Sequence, residues 1–213
     1  MHPNKVYRQI SADMNLQYAC ERGFGIITIA GSDGPLMSHI PFVLCGDGSS
    51  LEAHIVRSNP IFSALQAANG EGMQALLAVS GPHAYISPDW YGVEDQVPTW
   101  NYVAVHLRGR LMLRDPVNLR AHLEALSANF ERRLTDKPEW KLDKVSAAAF
   151  DRMARAIMPV AMTIDDIQGT WKLSQNKPDS AREGAATGLG TSDIGAEIDD
   201  LRALMIDLPE ASA

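Results

Sequence analysis

The sequence contains only two cysteines, which excludes a disulfide framework. Cys20 and Cys45 lie in apolar stretches and form neither a Cys-x-x-Cys pair nor a Cys/His spacing typical of metal sites. A chain of 213 residues buries enough apolar surface to fold without such links. We therefore expect a reduced, cytoplasmic protein.

Long apolar runs are also missing. No stretch approaches the roughly 20 consecutive apolar residues that cross a bilayer, so the sequence predicts no membrane span. The first ten residues carry Lys5 and Arg8 without an apolar run behind them, and we expect no signal peptide. Hydrophobic residues make up 46% of the chain and charged residues 21%, which is typical of soluble globular proteins.

Basic charge is scarce. The chain has 19 basic and 26 acidic residues, a net charge of −7, and the segment from Glu183 to the end holds seven acidic residues and one arginine. The rest of the chain is close to neutral. Because binding to a phosphate backbone requires a stripe of Lys and Arg, the charge argues against direct DNA binding. No helix-turn-helix pattern is evident either.

The order of strand and helix patterns predicts a mainly β fold, an antiparallel barrel with added helices. Apolar runs bounded by turn residues predict strands over 24–30, 36–45, 51–56, 73–80, 83–87, 99–113 and 160–167. Helices are expected over 11–22, 59–68 and 115–130 and from about residue 145. Because the helices come late, a doubly wound βαβ fold is disfavoured. We expect one domain over 1–190.

The C-terminal segment, 191–213, is expected to be a helical tail. Five apolar residues repeat there at four-three spacing and predict a helix with an exposed stripe: Ile194, Ile198, Leu201, Met205 and Leu208. The preceding residues, 174–190, are polar and rich in glycine, and we expect a loop or an ordered tail there.

Asp47-Gly48 predicts a two-residue hairpin turn, which fixes a strand register. That register pairs three apolar residues with three others on one face: Ile40, Phe42 and Leu44 with Ile55, Ala53 and Leu51. It also places Ser38 near Arg57. His39, Pro41, His54 and Val56 fall on the opposite face, whose mixed character suits a ligand or a partner subunit.

Three segments combine residue types that bind ligands. The segment 54–60 ends a strand, adds Arg57 and Ser58, and begins a helix at Asn59-Pro60. Free amides at the helix start, with Arg57 and Ser58, would suit an anion, although the same arrangement is ordinary helix capping. Two Trp and three Tyr fall within 81–102, a density that suits a planar ligand or a dimer interface equally. The segment 171–176 is rich in amides and cations, although most such segments are polar loops.

Four histidines lie on predicted strands, and two of them, His39 and His54, would be diagonal neighbours. A zinc or haem ligand pair is conceivable. Nothing supplies a third ligand at a recognisable spacing, and strand histidines with structural partners are far commoner. We therefore expect no metal site.

These segments together resemble the PaiB-type FMN-binding regulators, a family within the pyridoxamine-phosphate-oxidase-like split-barrel superfamily. The resemblance is carried by His39-Ile-Pro, His54-x-x-Arg-x-Asn-Pro, GPHAYISPDWY (81–91), VPTWNYVAVHLRG (97–109) and WKLSQN (171–176). It covers roughly residues 1–190.

The resemblance implies a homodimer of FMN-binding split barrels with FMN between the subunits. Residues matching the phosphate-holding turn are Arg57, Ser58 and Asn59, and those matching the strand that passes the flavin ring are His39, Ile40 and Pro41. The pocket would be lined by His83, Trp100 and Asn101 and closed, in one arrangement from the partner chain, by Lys172, Gln175 and Asn176.

The resemblance also implies a negative transcriptional regulator, and the charge suggests that such regulation is indirect. Two alternatives stay open. One is a flavin enzyme, a reductase or oxidase that uses FMN as its redox carrier. The other is a haem-handling split barrel, which only the histidines support. A shared fold does not distinguish among these three functional classes: regulator, flavin enzyme and haem-handling protein.

Overall fold

The computed structural model describes residues 1–211, and this part of the chain contains eight strands and six α-helices. The strands are β1 (Phe24–Gly31), β2 (Gly34–Leu44), β3 (Ser50–Val56), β4 (Met73–Ile86), β5 (Thr99–Leu113), β6 (Ile157–Thr163), β7 (Asp166–Lys172) and β8 (Gly195–Ala196). The helices are α1 (Ala12–Arg22), α2 (Pro60–Ala67), α3 (Leu119–Glu131), α4 (Ala147–Ala154), α5 (Asp179–Leu189) and α6 (Ile198–Ile206). None of these helices is both long and apolar enough to cross a membrane.

The strands form one sheet in the order β7-β5-β6-β3-β2-β1-β4-β8, and β4 also pairs with β5. The additional pairing closes β1 to β6 into a ring of hydrogen-bonded strands. The described ladders are antiparallel, including those of β1 with β2 and of β3 with β6. The expected fold class, mainly β with added helices, is therefore confirmed.

The chain divides into two compact units by its internal contacts. Unit I comprises residues 1–18, 79–106 and the chain from 167 onward, and unit II comprises 19–78 and 107–166. The core of unit II is made by inward-facing strand residues, of which Ile27, Phe42, Leu51 and Leu77 are fully buried. Burial of side chains of this size contributes about 1.5–3 kcal/mol each.

The predicted register of the β2–β3 hairpin is confirmed where the two strands pair. Phe42 lies opposite Ala53 and Leu44 lies opposite Leu51. The turn is closed by a hydrogen bond from the Gly48 N–H to the Cys45 carbonyl at 2.9 Å. Gly48 has a φ of 70°, a left-handed conformation that glycine adopts without strain.

Two predictions place the boundaries between strands wrongly. The runs 73–80 and 83–87 form the single strand β4. Gly81 does not mark a turn but makes room for Tyr18, since a Cβ there would lie 2.0 Å from the Tyr18 hydroxyl. The run 160–167 is divided between β6 and β7. Between the two strands, the Asp165 N–H bonds the Arg108 carbonyl at 2.8 Å, in line with the β5–β6 register.

The prediction of a loop or an ordered tail at 174–190 is also wrong, because α5 occupies most of this segment. Its glycines serve packing: a Cβ on Gly188 would lie 2.4 Å from the Trp90 indole, and one on Gly184 would lie 2.6 Å from the Trp90 carbonyl. The expected terminal helix is present as α6, but its stripe is covered within the helix, whereas Ile194 lies before α6 and is 51% exposed. Leu201 and Met205 are fully buried in the apolar cluster of unit I that includes Leu189 of α5.

Candidate functional site

In unit II, the turn that follows β3 presents Arg57 and Ser58 to solvent. Asn59 anchors this turn, since its Oδ1 accepts the Ile61 N–H at 2.9 Å and its Nδ2 donates to the Ser38 hydroxyl at 3.0 Å. The Arg57 guanidinium carbon lies 5.4 Å from the centroid of the Phe62 ring. Within residues 1–211 no carboxylate pairs with this guanidinium, so its charge is available to an anion.

The amides at the start of α2 are engaged within the protein. The Asn59 N–H donates to the Val56 carbonyl and the Phe62 N–H donates to the Asn59 carbonyl, each at 2.9 Å. Pro60 has no N–H, and Asn59 already caps Ile61. The simple expectation of several free amides at this helix start is therefore not met, and the anion-binding capacity lies in Arg57 and Ser58.

The segment 39–41 lies on β2 in unit II, and its side chains alternate in exposure. Ile40 is 3% exposed and belongs to the core, so its side chain is not available to a ligand. His39 faces outward, and its ring stacks on Phe24 with centroids 6.3 Å apart. Phe24 is itself 51% exposed, so this outer face offers an accessible aromatic surface.

In unit I, the aromatic residues of β4 and β5 form a partly exposed group. The Trp100 ring lies 6.1 Å from the His83 ring and 6.3 Å from the Tyr85 ring. His83 is positioned by a contact of its Nδ1 with the Gly81 carbonyl at 3.1 Å. Because Trp100 is 45% exposed, this group can stack on a planar ligand or on a second subunit.

Asn101 is fully buried in unit I and belongs to a polar network. Its Nδ2 donates to the Ser174 hydroxyl at 2.9 Å, and that hydroxyl also bonds the Tyr91 hydroxyl at 2.8 Å. Burial raises the pKa of Tyr91, so this phenol stays protonated. The Oδ1 of Asn101 is buried without a hydrogen-bond partner in the described part of the chain.

The residues of the segment 171–176 have different roles. Lys172 donates to the Trp100 carbonyl at 2.8 Å and to the Thr99 hydroxyl. Gln175 is a structural residue, since its amide bonds the Leu173 N–H and the carbonyls of Val6 and Trp171. A cavity of about 150 Å³ in unit I is lined by Asn101, Lys172 and Asn176 among others.

His54 does not pair with His39 but with His122 of α3, Nδ1 to Nε2, at 3.1 Å. His122 is 2% exposed, and its Nδ1 lies 4.0 Å from the Glu52 carboxylate, too far for a hydrogen bond. No group of three or more His, Cys, Asp or Glu residues suited to a metal ion occurs within residues 1–211.

Sequence reasoning missed several residues around these groups, among them Tyr7, Ser174 and Lys177 beside the cavity and His122 beside His54. The left-handed backbone conformation of Ser174, with a φ of 63°, is visible only in the structure. His122 occupies a core-facing position among the leucines of α3, and this break in an apolar stripe was visible in the sequence.

Comparison with known proteins agrees with this geometry. The model of the family described as "Putative FMN-binding domain" matches residues 1–166. The chain belongs to this family. It is also similar to the protease synthase and sporulation protein PAI 2 of Bacillus subtilis, with 29% identity over 179 residues and 83% of each chain covered.

Two solved structures share the fold. The FAD and heme binding protein from Mycobacterium smegmatis superposes with a TM-score of 0.57 at 18% identity, covering 85% of this chain and 80% of that one. The flavocytochrome Anf3 from Azotobacter vinelandii gives a TM-score of 0.54 at 17% identity, covering 80% and 72%. The split-barrel fold is therefore confirmed.

Membership confirms the resemblance to PaiB-type proteins and, with it, FMN as the cofactor. The residues present fit that group. Arg57, which lacks a carboxylate partner within residues 1–211, and the neighbouring Ser58 hydroxyl are a donor set suited to a phosphate. The family match ends at residue 166, so Lys172, Gln175 and Asn176 lie outside it.

The His54–His122 pair predicts a stability that depends on pH. Burial, and secondarily the His54 charge, lowers the pKa of His122 to about 4, and burial lowers the pKa of His54. The unfolded chain, with a histidine pKa near 6.5, binds protons more readily than the folded one. The free energy of unfolding should therefore fall between about pH 6.5 and pH 4, with a contribution on the order of 3 kcal/mol from His122.

Urea unfolding at pH 7, 6, 5 and 4.5 measures this slope. The His122→Leu variant should flatten it, because the residue that titrates is gone. His39→Gln, on the exposed face of β2, is the matched control and should keep the wild-type slope. An unchanged slope in His122→Leu contradicts the assignment.

Proposed function

We propose that this protein binds FMN with the phosphate at the turn formed by Arg57 and Ser58. The observation that carries the proposal is an exposed guanidinium with no carboxylate partner in residues 1–211, on a turn that is fixed by the Asn59 bonds to Ser38 and Ile61. Hydrogen bonds between charged groups are about twice as strong as neutral ones, so one arginine contributes measurably to phosphate affinity. The other flavin contacts expected from the resemblance stay predictions.

Arg57→Ala should weaken FMN binding by about 1.5–3 kcal/mol, roughly tenfold or more in Kd, because a hydrogen bond to a charged group is lost. Quenching of flavin fluorescence during titration measures the affinity. Riboflavin, which has no phosphate, serves as a second ligand and should bind the variant and the wild type alike. Arg152→Ala, an exposed arginine of α4, is the control. Equal FMN affinity in Arg57→Ala and Arg152→Ala would reject the phosphate site.

We further propose a homodimer whose interface includes part of the segment 83–102. Val97 is 71% exposed, Trp100 45% and Val93 43%, which is unusual apolar exposure within 20 residues. Aromatic residues with polar edges are enriched at such interfaces. The two free cysteines are compatible with assembly in a reducing cytoplasm.

Val97→Lys should shift the protein toward monomer, because a charge buried in an interface has no partner there. Light scattering with size exclusion at micromolar concentration measures the mass. Val117→Lys is the matched control, since Val117 is 78% exposed on unit II and lies outside the proposed interface. A wild-type monomer at these concentrations would exclude the dimer. A dimer that Val97→Lys leaves intact would exclude this segment from the interface.

For a regulatory role, which the name of the Bacillus subtilis relative suggests, we propose a mechanism without direct DNA contact. Three arginines in and just after α3 have partners within the protein. Arg120 lies 4.1 Å from the Phe150 ring centroid and 3.7 Å from Glu124, and Arg133 donates to the Asn129 carbonyl at 3.0 Å. Arg132 lies 3.8 Å from Glu139. Such engaged cations do not form the basic surface that duplex DNA requires.

The protein should therefore give no sequence-specific shift of a duplex from its own upstream region at about 150 mM salt. The gel shift is run with and without FMN, since a bound ligand can shift the protein toward a conformation that binds DNA. At about 20 mM salt a weak, sequence-independent shift is compatible with the proposal. A specific shift at nanomolar protein and 150 mM salt would show that the regulation is direct.

A further inference from the structure

The end of α4 lies beside the Arg57 turn in unit II. Val56, the last residue of β3, lies opposite Ile157, the first residue of β6. One position further, the Arg57 N–H donates to the Ala156 carbonyl at 2.8 Å, which extends the antiparallel pairing by one residue. Arg155, the C-cap of α4, directly precedes Ala156. The backbone therefore holds two arginines, Arg57 and Arg155, next to each other.

The position of Arg155 is fixed by regular structure on both sides. Its backbone is helical, with a φ of −62° and a ψ of −23°, and continues α4. The Ala156 N–H then donates to the Met153 carbonyl at 3.0 Å, and β6 begins at the next residue. Because neither side is a long loop, the neighbourhood of the two arginines is a property of the fold.

Arg155 has no carboxylate partner, although a suitable residue is available on the same helix. Asp151 lies four residues before it, the spacing and the order in which an acidic and a basic side chain pair best. The described part of the chain contains no ion pair between these two exposed side chains. Arg120 does pair with Glu124 on α3, at 3.7 Å, although their order is the less favourable one. The charge of Arg155 is therefore available to an external anion, as is that of Arg57.

Two unpaired guanidinium groups side by side match the charge of a phosphate monoester. Such a phosphate carries a charge of about −1.5 to −2 at pH 7 and presents three acceptor oxygens. Guanidinium groups bind these oxygens with paired N–H donors. In a dinucleotide both phosphates are bridged, so each carries less negative charge and has fewer terminal oxygens. A pair of arginines therefore favours a terminal phosphate over a bridged one.

We propose that Arg155 is a second ligand of the flavin phosphate and makes this site selective for FMN over the dinucleotide FAD. The role of Arg155 rests on the proposed phosphate site at Arg57. Arg57 and Ser58 bind the phosphate, and Arg155 supplies the second positive charge that only a terminal phosphate uses fully. The selectivity of the site is thus set by a residue of α4, far from Arg57 in the sequence.

Calorimetric titration of the full-length protein with riboflavin, FMN and FAD tests the proposal. The wild type should bind FMN at least about tenfold more tightly than FAD, a difference in Kd that one charged hydrogen-bond partner accounts for. Arg155→Ala should weaken FMN binding about tenfold and FAD binding less than about threefold, because only FMN loses a fully used charge. Unchanged FMN affinity in Arg155→Ala would overturn the proposal. An equal loss of FMN and FAD affinity would overturn the selectivity.

Two further variants separate the guanidinium from a general effect of charge. Arg155→Lys keeps the charge but loses the planar pair of donors, so FMN binding should weaken only about threefold. Arg152→Ala removes the same charge one turn earlier in α4 and should leave FMN affinity unchanged. A loss in Arg152→Ala equal to that in Arg155→Ala would reject the second ligand. Riboflavin has no phosphate, and its unchanged affinity in every variant shows that the flavin site is intact.

Comparison with Arg57→Ala separates this proposal from the phosphate site itself. Loss of FMN affinity in Arg57→Ala but not in Arg155→Ala would keep the phosphate site and reject only the role of Arg155. Equal affinity of the wild type for FMN and riboflavin would reject the phosphate site, and with it the second ligand.

Discussion

The pairing of β3 with its two neighbours is the constraint on which the rest of unit II depends. β3 pairs with β6 along its whole length, Ser50 opposite Thr163 to Val56 opposite Ile157, and with β2 on its other side. A slip of one residue would turn Leu51 and the other buried residues to the outer face. The same register directs His54 toward His122 and ends the strand at Val56, immediately before Arg57. The position of the turn that carries Arg57 therefore follows from the pairing of β3 with its neighbours.

Features that depend on neighbouring residues were predictable from the sequence. The hairpin register followed from Asp47-Gly48 and the apolar alternation around it, and the start of α2 followed from Asn59-Pro60, which the structure shows as a capped N-terminus. The candidate phosphate site belongs to this class, because strand end, Arg57, Ser58 and helix cap are consecutive. The bonding of the amides at the start of α2 was not predictable, because the bond to the Val56 carbonyl and the bonds within the cap depend on the exact turn geometry.

Features that depend on distant residues were not predictable in the same way. α5 contains two glycines that ordinarily indicate a loop, yet they make room for Trp90, which is about 95 residues away in the sequence. The stripe of α6 suggested an exposed face because nothing local showed that α5 would cover it. The cavity of unit I has the same origin: Tyr7, Asn101 and Lys177 come from three separate parts of the chain.

The hydrogen-bond and ion-pair partners of a cationic side chain indicate whether it has a structural role or is available to a ligand. Arg182 is 6% exposed and donates to the carbonyls of Met205 and Ile206 and to Asp179, so its charge is used where α6 ends. Arg133 likewise donates hydrogen bonds to backbone carbonyls. Arg57 has no such partner within residues 1–211, although acidic residues outnumber basic ones in this chain. In an acidic protein, a cation that is held in place but lacks a carboxylate partner is poised for an anion from outside. By this reasoning we propose the Arg57 turn, and not the basic residues around α3, as the place where this protein meets an anionic ligand.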